Sequence, residues 1–250
     1  MFPDLAVVVY TYDRPDYAER TIRSALANLS YSGVVHVHVA DDGSPEVQVE
    51  RLVAAAAEEA EGRPYGFGEI TSTNAARSGY GASYNLATQV AHGRARVFLC
   101  LEDDWELRRT LDLDPLVAAL GADAGIGCIR LGYVGWTEPL VGRFVHAAGL
   151  AFLLLDPESP ERHVFAGHPR LETFAFERNV GPWPEGLDAG STEFAVAGRP
   201  TARQGVAWPL DIGLSATPRA DLSLFAHIGA VQARADQRPA GNGPEKRLDA

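Results

Sequence analysis

Apolar residues in the first hundred positions come in short unbroken runs, separated by stretches in which they recur every three or four residues. Leu5-Ala6-Val7-Val8-Val9-Tyr10 and Val97-Phe98-Leu99-Cys100-Leu101 read as strands buried on both faces. Val34 to Ala40 is a third strand, with valines alternating with histidines, and Gly68 to Thr73 a weaker, edge-ward one. Between them, Ala18, Ile22, Ala25 and Leu29 keep helical spacing from Pro15, a residue suited to a first helical turn, through Asn28. Glu46 to Ala60, rich in alanine and glutamate, predicts a second helix, and Leu86 and Val90 mark a third that closes near Gly93. Strands alternating with helices predict an α/β fold: a mostly parallel central sheet with helices on both faces. Later the pattern thins. Ala147 to Leu155 predicts one buried strand, and Leu222 to Gly229 a last apolar strand carrying His227. From about Gln232, Arg, Pro, Gly, Asn and Lys dominate, so residues 1–231 are expected to form one domain and 232–250 a disordered tail.

The polar punctuation sits where such a sheet binds ligands, at the carboxyl ends of strands. Thr11-Tyr12-Asp13-Arg14-Pro15 follows the first strand, and Asp41-Asp42-Gly43-Ser44-Pro45 the next. The loop Asn74 to Gly81 comes after the edge strand, and Glu102-Asp103-Asp104 after the run that starts at Val97. Three adjacent carboxylates repel one another and lose solvation unless a cation or water compensates. At the end of a buried strand a divalent metal is the economical answer; a solvated acidic turn is the other reading of the triplet taken alone. No Gly-x-Gly-x-x-Gly turn or Gly-Lys-Ser/Thr phosphate loop is present, and the first turn lacks the glycines that admit a pyrophosphate, which argues against a dehydrogenase.

Composition narrows this further. The 250 residues are 46% apolar and 22% charged, the balance of a water-soluble globular chain. No apolar run approaches the roughly 20 residues of a membrane span. Met1-Phe2-Pro3-Asp4-Leu5 is not a secretory signal, so a cytoplasmic location is expected. Cys100 and Cys128 lie inside apolar runs and read as reduced core thiols. A formal charge of −11 argues against tight non-specific binding to nucleic acid.

Val-Val-Val-Tyr-Thr-Tyr-Asp-Arg-Pro, then Val-Ala-Asp-Asp-Gly-Ser, then Asn74, Gly79 and Asn85, then Leu-Glu-Asp-Asp, in that order over residues 5 to 105, resembles glycosyltransferase family 2. The resemblance implies a GT-A fold that takes nucleotide-sugar donors, with residues 1–105 as the donor-binding half and 106–231 as the acceptor and catalytic half. It implies that Tyr10, Thr11 and Tyr12 lie against the nucleoside and that Asp42 binds the base. The family's metal motif falls on Glu102, Asp103 and Asp104. Asp104 is the expected direct ligand of Mn²⁺ or Mg²⁺, with Asp103 nearer the ribose and Glu102 nearer the donor sugar. The charge argument supports this independently, because a metal on hard carboxylate oxygens neutralises the leaving diphosphate. Arg77 adds a charged donor to the nucleotide or diphosphate.

The second half resembles the family more loosely. Gly149 matches a glycine that lets backbone approach the donor sugar. His227 matches a histidine that completes the metal site. Gly181 to Phe194 resembles the catalytic-base segment, but Gly190 and Ser191 stand where that segment carries Glu-Asp. Glu193 is therefore the expected base, with Asp188 as the alternative and inversion as the expected outcome. Trp136, Phe144, Phe174, Phe176 and Trp183 are expected to offer aromatic faces to an acceptor. A uracil nucleotide is the donor base expected by family habit. The acceptor is left open among a glycan, a lipid-linked sugar, a protein side chain and a hydroxylated nucleobase in DNA. Two other readings compete: a sugar nucleotidyltransferase, and a nucleotide-binding module of the same fold with little or no transfer activity.

Overall fold

The structure is a computed structural model that describes residues 2–63, 66–132, 139–160, 167–210 and 224–229. The chain opens with β1 (Leu5–Thr11), α1 (Pro15–Asn28), β2 (Leu29–Ser30), β3 (Val34–Asp41), α2 (Glu46–Ala60), β4 (Gly66–Asn74), α3 (Tyr80–His92) and β5 (Val97–Glu102). It continues through β6 (Trp105–Leu107), β7 (Leu111–Asp112), α4 (Asp114–Ala122), β8 (Cys128–Arg130), β9 (Gly142–Ala147), β10 (Leu150–Leu155) and β11 (Arg170–Thr173). The last elements are α5 (Phe174–Val180), α6 (Ala189–Ala197), α7 (Pro200–Arg203), β12 (Val206–Pro209) and β13 (Phe225–His227).

Nine strands form one sheet in the order β4-β3-β1-β5-β11-β8-β12-β10-β9. The first four are parallel neighbours, β11 and β10 run against their neighbours, and seven of the nine strands therefore point the same way. The side-chain period of two divides the core between the two faces of this sheet. Leu5, Val7, Val9, Val97, Leu99 and Leu101 pack under α1, α2 and α4. Ala6, Val8, Tyr10, Phe98 and Cys100 pack under α3, α5 and α6. Each fully buried aliphatic of β5 contributes about 1.5–3 kcal/mol. That burial fixes the height at which the acidic residues leave the sheet, and parity sends Glu102 toward α3 and α6.

The helix expected at 15–28, with proline in its first turn, and the one at 46–60 are both present, and β4 is an edge strand. His38 ties β4 down by hydrogen bonds to Thr71 and Thr73, and burial lowers its pKa to about 4, so it holds that edge as a neutral ring. Both cysteines are buried and unpaired.

One expectation is corrected. The single strand expected over Ala147 to Leu155 is the hairpin β9–β10, turned at Ala148 and Gly149 with φ of 50° and 81°. Gly149 accepts that backbone freely, and the two-residue turn matches the twist of the flanking strands. The last apolar strand is present as β13, which pairs with β6 in a small separate ribbon, His227 opposite Trp105. Leu222, Ser223, Trp136 and the tail 232–250 lie outside the described residues.

Candidate active site at the carboxyl edge

Parallel pairing sets Tyr10 level with Glu102, and Thr11 level with Asp41, so three loops leave the same edge side by side. Asp103 and Asp104 come next, 4% and 7% exposed. Asp103 accepts a hydrogen bond from the Thr11 hydroxyl at 2.9 Å and one from the Tyr12 backbone N–H. Arg14 spans the pair, with Nη1 3.0 Å from Asp103 and Nη2 2.9 Å from Asp104. His227 Nε2 lies 3.3 Å from the same Asp104 oxygen, Oδ2. Gly229 presses its backbone so closely on Asp104 and Arg14 that a Cβ there would overlap both.

The two carboxyls respond in opposite directions. Burial pushes Asp103 up to about 7 despite the Arg14 charge. Burial also acts on Asp104, but the hydrogen bonds and charges of His227 and Arg14 outweigh it and hold that carboxyl below its ordinary value. The Asp104 hydrogen bond raises His227 in return. One acceptor in the cluster is left over: Asp104 Oδ1 is buried without a hydrogen-bond partner among the described residues. A hard, ionised oxygen with no partner, beside an imidazole, fits Mn²⁺ or Mg²⁺ if the remaining positions go to water or ligand oxygens.

Beside this cluster, Asp42 accepts hydrogen bonds from Gly79 N–H at 2.9 Å, Ser78 Oγ at 3.4 Å and Arg77 Nη1 at 3.1 Å. Arg77 also lies 3.5 Å over the Tyr12 ring, so Tyr12, Arg77 and Asp42 form one wall. Asp41 is spent locally, accepting from Gly43 N–H and from the backbone and hydroxyl of Ser44. Tyr10 is turned inward, stacked on Tyr84 with centroids 4.6 Å apart, so its ring belongs to the core rather than to the rim.

Glu102 and Glu193 meet on the α3–α6 side. The Tyr80 hydroxyl donates to Glu102 Oε1 at 2.8 Å, and the Glu102 carboxyl is hydrogen-bonded to Glu193. Burial, then the charge of Glu193, raises Glu102 well above the carboxylate range. Burial raises Glu193 as well, but the Glu102 hydrogen bond and the charges of Arg170 and Arg130 pull it back. Both carboxyls are thus raised, Glu102 the more strongly. Glu193 also packs against the backbone of Gly167, with no room for a Cβ. Asp188 is elsewhere engaged: it caps α6, accepting from Ser191 N–H at 3.0 Å and Ser191 Oγ at 2.6 Å. Gly149 is at the tip of the outermost hairpin, five strand positions from β5, which is about 24 Å at ordinary strand spacing. Phe176 and Trp183 are buried, Trp183 stacked on Tyr84, and offer no free face to an acceptor; Phe144 is exposed on the far edge strand.

Two features escaped the sequence reading. Arg14 had been given no role. Nor had the buried group beneath the site, where Arg170 pairs with Glu172 at 2.9 Å, Tyr84 reaches both Glu172 and Glu177 at 3.3 Å, and Cys100 donates to Glu172 at 3.2 Å.

Residues 6–172 match the profile of glycosyl transferase family 2. The chain belongs to that family. Among solved structures, TarS of S. aureus is similar, with TM-score 0.57 and 14% identity over 83% of this chain and 35% of that one. TarS 1-349 of S. aureus in complex with UDP-GlcNAc aligns with TM-score 0.58 and 15% identity over 83% and 56% of the two chains. At such identities the likeness is one of fold, and this chain spans about a third of TarS and little more than half of its fragment. No curated protein is matched. No described helix is long and apolar enough to cross a membrane.

Proposed function

We propose that this family-2 domain transfers a sugar from a nucleotide-diphosphate donor, a UDP-sugar, to an acceptor hydroxyl with inversion at the anomeric carbon. One observation carries the reading: the wall of Tyr12, Asp42 and Arg77, a partner-short acid (Asp104 with His227) and a carboxyl held by Glu102 (Glu193) lie along one sheet edge. The similar fold of TarS with UDP-GlcNAc supports the donor class.

In this assignment Asp42 takes an N–H of the base, and the base lies against the wall that Arg77 makes with Tyr12. Asp103, anchored by Thr11 and Tyr12, receives ribose hydroxyls. Asp104 and His227 would hold Mn²⁺ or Mg²⁺, which when bound would supply positive charge against the departing diphosphate. Glu193 accepts the proton of the acceptor hydroxyl as that oxygen attacks. Glu102 orients Glu193 by donating to it and is itself fixed by Tyr80. Asp188, as a helix cap, supports the mount of Glu193 and does not compete for the proton. The mechanism needs the acceptor to approach between Glu193 and the donor. A lipid-linked sugar, a glycan, a protein side chain and a hydroxylated base in DNA all present the required hydroxyl.

The test is calorimetry with UDP and Mn²⁺, followed by a donor-hydrolysis assay and NMR of the released sugar. Nucleotide binding with an inverted product supports the assignment. Binding without any turnover would make the chain a nucleotide-binding module, and a retained configuration would remove Glu193 as base.

A further inference from the structure

Asp103 and Asp104 place two acids side by side with most of their surface out of water, and Arg14 answers both at once. A guanidinium is suited to this, since its two terminal nitrogens match two carboxylates in a fixed fork. Yet the arrangement is left incomplete on both sides. Among the described residues, Arg14 Nε is a buried donor with no hydrogen-bond partner, and Asp104 Oδ1 a buried acceptor with none. They are of opposite character and belong to directly bonded partners 2.9 Å apart. A buried polar atom without a partner costs about 1–3 kcal/mol, so a site that keeps two is short of a ligand that satisfies both. No single ion does so: a cation satisfies the oxygen only, an anion the N–H only. A divalent cation bound to a diphosphate satisfies both.

Arg14 has freedom to change partners. It precedes α1 as its N-cap residue, makes no side-chain cap hydrogen bond, and leans on the Tyr17 ring at 4.7 Å. Its side chain retains some exposure, whereas the acids are nearly closed off. We infer that Arg14 is the resident counter-ion of the Asp103–Asp104 pair, which yields Asp104 to a divalent cation and turns to the donor's diphosphate as the two bind together. The inference rests on the donor site proposed above and adds a consequence to it. In the absence of nucleotide, Arg14 competes with the metal; with nucleotide present, it cooperates.

The probe is Mn²⁺ alone, titrated into the whole chain without nucleotide and followed by calorimetry and by loss of the free-Mn²⁺ EPR signal. Removing the competitor in Arg14→Gln should tighten Mn²⁺ binding about ten- to hundredfold, the equivalent of one charge-assisted hydrogen bond. The same variant should bind UDP more weakly than wild type at saturating Mn²⁺. Arg14→Lys, which keeps the charge but not the fork, should fall between the two, and decides the matter if Arg14→Gln does not fold. Equal or weaker Mn²⁺ binding by both variants overturns the inference while leaving the metal site in place. Absence of Mn²⁺ binding in wild type and both variants alike removes the metal site itself, and the inference with it.

Discussion

Two acid pairs in this chain each share one arginine, and they are finished differently. Beneath the site, Glu172 and Glu177 are closed over Arg170, with exposures of 1%, 5% and 3%. Burial, then the charge of Glu172, raises Glu177 well above its ordinary range, so that carboxyl keeps a proton and hydrogen-bonds Glu172. Arg170 pairs with Glu172, and Tyr84 and Cys100 fill acceptor positions that remain. At the sheet edge, Asp103 and Asp104 also share an arginine, but Asp104 Oδ1 and Arg14 Nε have no hydrogen-bond partner among the described residues. A buried polar group built for stability is satisfied from within; one built for a ligand is left short of it. The first pair should answer mutation in melting curves, and the second in binding and turnover.

The largest expected effect is on turnover. Glu193→Gln should lower kcat by about 10²–10⁴-fold with nucleotide affinity and melting temperature unchanged, the usual scale for a lost general base. Normal turnover by Glu193→Gln, measured as UDP release with a competent acceptor, would end its assignment as base. Next is Arg170→Met. Removing the one cation of a buried pair should destabilise by about 3–5 kcal/mol in urea unfolding. Arg14→Met, where the arginine keeps some exposure and Asp104 retains His227, should cost less than Arg170→Met. Equal losses in the two would erase the distinction drawn between the pairs.

A third comparison separates adjacent acids. Asp42→Asn should weaken UDP binding by about 1–3 kcal/mol, one charged hydrogen bond. Asp41→Asn should instead lower stability, because Asp41 is occupied by Gly43 and Ser44. Calorimetry and melting of the two variants check both halves. The smallest effect is electrostatic. His227 is raised by Asp104, so its contribution is complete below its unfolded pKa of about 6.5 and fades as pH rises through the folded value. The melting temperature of wild type minus that of His227→Gln should therefore shrink over the range of pH above about 6.5. A difference that stays constant across that range would mean that the imidazole does not share charge with Asp104.

Much of the donor half was legible. Doubly buried runs such as Val97 to Leu101 declare themselves because both parities are apolar, and the acids that follow stand out against them. Local signals also placed α1, since Pro15 and the spacing of Ala18, Ile22 and Ala25 act within one helix. The remainder depends on contacts between distant positions. Arg14 and Asp104 are 90 residues apart, and Cys100 and Glu172 are 72 apart. Nothing beside Arg14 in sequence states that it spans two carboxylates, and Glu172 on a short strand looks like any surface acid. The β9–β10 hairpin was missed for a different reason. Ala148-Gly149 is apolar, so the turn continues the hydrophobic run and only the positive φ of its two residues breaks the strand. Trp183 misled in the opposite way: an aromatic beside prolines and glycines reads as a surface platform, but it is stacked in the core.

The account turns on Asp104 being the acid that needs a metal and a diphosphate to be complete. The most direct measurement is UDP binding by calorimetry to wild type and Asp104→Ala, each with Mn²⁺ and with EDTA. Wild type should bind at least about tenfold more tightly with Mn²⁺ than with EDTA, and Asp104→Ala, with an unchanged melting curve, should bind weakly and indifferently to metal. Equal UDP affinity in Mn²⁺ and EDTA, or full metal dependence in the folded Asp104→Ala protein, would contradict it.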